Sequence, residues 1–205
     1  MTNPRRCRIL WEQSCHVLRA NVPGSFVECG VWRGGCAAVM GLANIHLKGA
    51  RDLHLFDSFQ GLPEPTEKDG DRARSYSQGK ASGTLESSSR CEADLNDVRS
   101  FLLEHLRFDG SKVHFHAGWF QNTVPHQASS IGPIALLRLD GDWYESTYVC
   151  LEYLYPQLAR GGFVVVDDYW TWEGCHRAVD DYRGLHKITS SILRIDDGAA
   201  YWIKG

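Results

Sequence analysis

The 205-residue sequence predicts an α/β fold, a mainly parallel sheet with helices on both faces and a closing antiparallel hairpin. Three observations carry this reading. Short apolar, strand-like runs alternate with segments of helical period from Ser25 onward. Two of these runs, in Leu-Arg-Leu-Asp-Gly-Asp (Leu137 to Asp142) and Val-Val-Val-Asp-Asp-Tyr (Val164 to Tyr169), end in acid. Near the C-terminus, Asp197-Gly198 separates two further strand-like runs, the turn signal of a hairpin.

The elements follow in order. Arg5 to about Ala20 reads as an amphipathic helix closed by Asn21 and Pro23. Ser25 to Val31 is a short apolar strand, Gly34 to Lys48 a helix with a glycine-rich entry, and Asp52 to Phe56 a strand ending at Asp57. Segment 58–90 carries Pro63, Pro65, several glycines and a serine run, with no sustained period; such a stretch in a compact domain is expected to be a mobile lid over a ligand site. A helix over Cys91 to Leu106, a strand over Lys112 to His116 and a short helix near Trp119 come next. The two acidic strands flank a helix from Glu145 to Leu158, and another helix runs from Glu173 to His186. The hairpin pairs Ser191 to Ile195 with Ala199 to Lys204, completing a single domain over residues 1–205.

Composition narrows the function. With 43% hydrophobic and 23% charged residues, the chain has the make-up of a soluble globular protein. A net charge of −3 gives no electrostatic basis for binding nucleic acid or an anionic membrane. Seven scattered cysteines without a C-x-x-C pair indicate neither a disulfide framework nor a zinc knuckle. No apolar stretch is long enough to span a bilayer, and the start lacks the apolar segment of a signal peptide, so a cytoplasmic location is expected.

Adjacent parallel strands ending in Asp140, Asp167 and Asp168 place carboxylates at one sheet edge, where open α/β folds bind ligands. Such mutually repelling acids call for a cation, and hard oxygen ligands suit Mg²⁺. Asp142 is assigned a supporting place, in the turn or behind the ligands. The first strand–helix turn, Glu28-Cys29-Gly30-Val31-Trp32-Arg33-Gly34-Gly35, is not G-x-G-x-x-G, which argues against a nicotinamide dehydrogenase. An acid two residues before the first glycine suits an ammonium or a sulfonium, both carried by S-adenosylmethionine. Asp57 ends the second strand, where nucleoside-binding folds place an acid for ribose hydroxyls. Trp119, Trp143, Trp170 and Trp172 fall in loops after strands and offer aromatic walls for an adenine or a sugar. His114 and His116 share a strand face, but no third ligand is evident nearby and packing is the expected role.

These residues together resemble the macrocin O-methyltransferase (TylF/NovP-type) family, which methylates sugar hydroxyls on natural products. The resemblance runs through Val22-Pro23-Gly24, the Glu28 to Gly35 turn, Asp57-Ser58-Phe59-Gln60-Gly61-Leu62-Pro63 and Gly118-Trp119-Phe120. It continues through Leu139 to Thr147, Tyr155-Pro156, Gly161 to Tyr169, Ala178 to Asp181 and Tyr201-Trp202. It implies a Rossmann-like class I methyltransferase with a seven-stranded sheet, S-adenosylmethionine as methyl donor and Mg²⁺ as cofactor. By motif match, Glu28, Gly30, Arg33, Gly34, Asp57, Ser58 and Trp119 would line the donor, and Asp140, Asp167 and Asp168 would hold the metal, Asp140 also acting as base. The implied partner is a small hydroxylated acceptor, a sugar of a glycosylated natural product, with a catechol or amine acceptor or a non-catalytic donor-binding subunit as alternatives. A homodimer is consistent with the family. Two departures stand out: only about twenty residues precede the first strand, which bears on the acceptor pocket, and Cys29 replaces the more usual threonine.

Overall fold

A computed structural model describes residues 3–205. Helix α1 (Pro4–Arg19) starts where the Asn3 side chain accepts from the Arg6 N–H and proline occupies the first helical position. There follow β1 (Ser25–Cys29), α2 (Gly35–His46), β2 (Leu53–Asp57), α3 (Gly70–Tyr76), α4 (Leu95–Ser100) and β3 (Val113–Ala117). The second half comprises α5 (Phe120–Ile131), β4 (Ile134–Leu139), α6 (Tyr144–Leu154), β5 (Leu158–Val166), α7 (Glu173–Leu185), β6 (Leu193–Arg194) and β7 (Ala200–Ile203).

The seven strands form one sheet in the order β3-β2-β1-β4-β5-β7-β6. The first five pair in parallel, with Val27 beside both His54 and Leu137, and β7 runs antiparallel to β5 and β6. This is the predicted fold, down to the closing hairpin. Every residue of β1 and β4 is buried, because helices cover both faces, which is why these strands read as mostly apolar runs, broken only by Ser25, Glu28 and Arg138, rather than as alternating ones. One core layer joins the sheet to α5, α6 and α7 through Val124, Leu151 and Val179. The other joins it to α1, α2 and α4 through Leu10, Met40 and Val98. No helix among the described residues is long and apolar enough to cross a membrane.

Three local expectations shift. The short helix near Trp119 is a full 12-residue α5; the internal Pro125 and a polar, serine-containing second half obscure its period. The helix expected from Cys91 begins at Leu95, because the Asp94 side chain accepts from the N–H groups of Asn96 and Asp97 and so takes the N-cap. It then loosens into a π-type turn over Phe101–His105. Segment 58–90 contains α3, preceded by a 3₁₀ turn over Glu67–Asp69 whose capping box has Thr66 and Asp69 bonding one another's backbone N–H groups. Seven residues are too few to show a period. The segment packs against the start of α6: the Trp143 indole N–H donates to Pro63 O at 2.9 Å, and Tyr144 N–H donates to Asp69 at 2.6 Å.

The chain proceeds from β1 outward to β2 on one side and returns beside β1 on the other as β4. The ends of β1 and β4 thus form the topological switch point, where a crevice opens. Gly30 closes this point. Its φ is +94°, and a Cβ there would overlap the backbone carbonyl of Asp140, so glycine alone fits.

Candidate active site

The sheet register carries the acids to one place. Backbone bonds extend the ladder past the strands, Asp140 N–H to Cys29 O at 2.8 Å and Asp167 N–H to Leu139 O at 2.9 Å. Gly30, Asp57, Ser58, Trp119, Asp140 and Asp168 line one cavity of about 260 Å³, together with Asp167. An adjoining cavity of about 340 Å³ shares Gly30, Trp32 and Asp140 with the first and is also lined by Glu28 and Arg33. Of the expected site residues, only Gly34 lines neither. Its left-handed φ of 78° begins α2 and shapes the turn from behind.

Asp57 organises that turn. Its Oδ2 accepts from the N–H groups of Val31 at 2.7 Å and Trp32 at 2.8 Å, and its Oδ1 accepts from Phe59 N–H at 2.7 Å. Trp32 is held at φ +47°, a conformation that costs a non-glycine residue about 1–2 kcal/mol and that these bonds offset. A carboxylate has about four acceptor positions, so one remains for a ligand hydroxyl. The Ser58 hydroxyl is committed locally, donating to Gly61 O at 2.7 Å. Arg33 is exposed, with its guanidinium 4.9 Å from the centre of the Trp32 ring.

Beneath the crevice lies an ion network that local sequence reading did not identify. Arg138, within β4 and only 3% exposed, donates to Glu28 at 2.8 Å, to Asp140 at 2.9 Å and to Asp167 at 2.8 Å. Asp167 is bonded from its other oxygen by Arg6 of α1 at 2.6 Å, and Arg6 also pairs with Asp196 in the hairpin. The one local signal for Arg138 was an arginine inside an otherwise apolar strand, Ile-Ala-Leu-Leu-Arg-Leu. Buried charges of that kind are paired.

The three carboxylates that converge most closely are Asp140, Asp142 and Asp168, each offering an oxygen within 4.8 Å of the others. Asp142, given a supporting place from sequence, is therefore part of the cluster. A left-handed φ of 55° turns it inward, and the Trp172 indole N–H bonds it at 2.8 Å. Asp167 stands beside this trio, held by its two arginines. Burial, then the charge of Asp167, raises Asp140 above the usual carboxylate range, with Arg138 opposing. Burial and the neighbouring Asp142 and Asp140 drive Asp168 well up, and the two side chains of Asp140 and Asp168 share a hydrogen bond. Crowded, partly buried carboxylates of this kind mark the place a divalent cation fits: oxygen-only donors, repelling one another.

Glu28 is fully buried, and its Oε2 has no hydrogen-bond partner. Burial, opposed by Arg138, pushes its carboxyl up to about 8. Between the unfolded value near 4.5 and about 8, the folded chain holds the proton more tightly than the unfolded chain does. Glu28 therefore contributes stability that is full below that window and lost as pH rises through it. Thermal melts without ligand are expected to show a midpoint falling from pH 6 to pH 8.5, and Glu28→Gln should flatten that slope; an unchanged slope in the variant would discount this role.

Comparison with known proteins agrees with this geometry. The family model described as Macrocin-O-methyltransferase (TylF) matches residues 1–204. The demethyldecarbamoylnovobiocin O-methyltransferase of Streptomyces niveus is 38% identical over 187 residues, covering 91% of this chain and 68% of that protein. A 4'-O-methyltransferase of Streptomyces olivaceus that acts on a rhamnosyl-tetracenomycin is also 38% identical over 187 residues, with the same coverage. Among solved structures, the O-methyltransferase NovP superposes with a TM-score of 0.85 at 34% identity, over 98% of this chain and 79% of that one.

Proposed function

The chain belongs to the macrocin O-methyltransferase family of S-adenosylmethionine-dependent enzymes, and from that premise we propose that it methylates a sugar hydroxyl of a glycosylated natural product with the help of Mg²⁺. The observation that carries the reading is the shared cavity. The Gly30 turn and Asp57, suited to the donor, open onto the same space as the Asp140, Asp142 and Asp168 cluster. The relative from Streptomyces olivaceus is named for a rhamnosyl-bearing substrate, which supports a sugar acceptor.

On the donor side, Glu28 offers its unpaired oxygen to the ammonium of the methionine moiety, and Asp57 offers its remaining acceptor position to a ribose hydroxyl. Gly30 and Gly34 keep side chains out of the turn, and Arg33 and Ser58 border it. Trp119, which opens α5, provides a face for the adenine. On the acceptor side, Asp140, Asp168 and either Asp142 or Asp167 would hold the cation. When bound, Mg²⁺ supplies polarisation of a hydroxyl and a template for orienting it. Asp140 accepts the hydroxyl proton as the oxygen takes the methyl group and the donor leaves as its neutral thioether. Arg138 fixes the Asp140 carboxylate from behind at 2.9 Å, which keeps the accepting oxygen aimed into the cavity. Trp172 and Tyr76, 5.3 Å apart between ring centres, wall the far side and exclude water.

The test is methyl transfer to glycosides and catechols, assayed with Mg²⁺ and with EDTA. Turnover of a glycoside that disappears in EDTA and returns with excess Mg²⁺ is the expected result. Full activity in EDTA would remove the metal from the reaction, and turnover confined to catechols would overturn the sugar assignment.

A further inference from the structure

The outer strand pair of the sheet carries an imidazole cluster that the methyltransferase reading does not use. Parallel pairing sets His54 of β2 beside His114 of β3 and Phe56 beside His116, so all three histidines stand on one face. Only His114 and His116 are neighbours in sequence; the third ring comes from β2, some sixty residues earlier. His54 Nδ1 and His116 Nε2 lie 3.1 Å apart, with the two ring planes 13° from parallel. His114 stacks on His54 with ring centres 4.5 Å apart, and its Nε2 is held by Asp52 at 2.8 Å. Phe56 stacks on His116 at 4.1 Å and closes the inner side. The three rings are half-buried, open to solvent along the edge of the sheet.

From this geometry we propose a binding site for a borderline transition-metal ion, of the Ni²⁺, Cu²⁺ or Zn²⁺ class, with His54 and His116 as ligands and water completing the shell. Two nitrogens that share one ion at bond lengths of about 2.0–2.1 Å stand about 2.9–3.4 Å apart at square-planar or tetrahedral angles. The observed separation falls inside that interval, so the ion replaces the shared hydrogen bond once each ring turns its lone pair off the line between the two nitrogens. The ring that donates in that bond shifts its proton to its other nitrogen, and no net proton is released. Burial, with the neighbouring imidazoles adding to it, lowers both His54 and His116 to about 4, so both rings are neutral and available as ligands at physiological pH. Asp52 bonds His114 and so sets the ring that packs on His54, a positioning role for the outer shell. Imidazole nitrogen selects these ions over Mg²⁺, which separates this site chemically from the carboxylate cluster.

The test uses the untagged protein with excess Mg²⁺ present to occupy the carboxylates. Calorimetry with Ni²⁺ is expected to show one saturable site, abolished by His54→Asn or His116→Asn and unchanged by His126→Gln on α5. A measurement without variants accompanies it: substoichiometric Ni²⁺ should broaden amide resonances of β2 and β3 before others. Absence of saturable binding, an affinity unaffected by His54→Asn and His116→Asn, or broadening centred elsewhere overturns the proposal.

Discussion

Asp140→Asn is expected to lower kcat by about 10³-fold, the scale on which a positioned base contributes, while S-adenosylhomocysteine binds as to the unmodified protein. The substitution is nearly isosteric, and an amide oxygen can still accept from Arg138 at the position now 2.9 Å away. The network beneath therefore stays assembled. What disappears is the charge that helps hold a cation and the group that takes the proton. Single-turnover methyl transfer and calorimetry with the demethylated donor separate the two effects. Activity within tenfold of the parent would show that Asp140 is not the base. Asp142→Asn and Asp167→Asn run in parallel decide the third ligand: the variant in which the Mg²⁺ requirement rises identifies it.

Arg138→Met should be the most destabilising single change in the site. The guanidinium is 3% exposed and bonds Glu28, Asp140 and Asp167 at once. Removing one partner of a buried pair costs about 3–5 kcal/mol because the other charge is left unsolvated. Three acids are left here, with Arg6 reaching only Asp167. Glu28 can relieve the strain by taking up a proton, so the loss measured by urea denaturation should be smaller at pH 6 than at pH 8.5. Arg138→Lys should rescue little, since a single ammonium cannot match a planar fork across three carboxylates. A loss below about 1 kcal/mol for Arg138→Met would remove Arg138 from the centre of the network.

The pairings that matter most were the least visible along the chain. Glu28 and Arg138 are 110 residues apart, and Arg6 and Asp167 are 161 apart. No local period or spacing reports such a contact, because it exists only once β1 and β4 pair and α1 docks. The same holds for His54, which joins His114 and His116 only through the β2–β3 register. It holds for Asp142, whose inward aim depends on a left-handed backbone and on the Trp172 indole.

By itself the sequence determined the α/β class, the strand ends at Asp57, Asp140 and Asp167, the glycine turn at Gly30 and the family. All of these are short-range signals: alternation of apolar runs, acids placed just past them, and a glycine where no side chain fits. Tertiary structure alone decided which acids converge, which are neutralised by arginine, and which sheet edge gathers the imidazoles. Charge pairing acts through space over a few ångströms, and the sheet register, not distance along the chain, sets those separations.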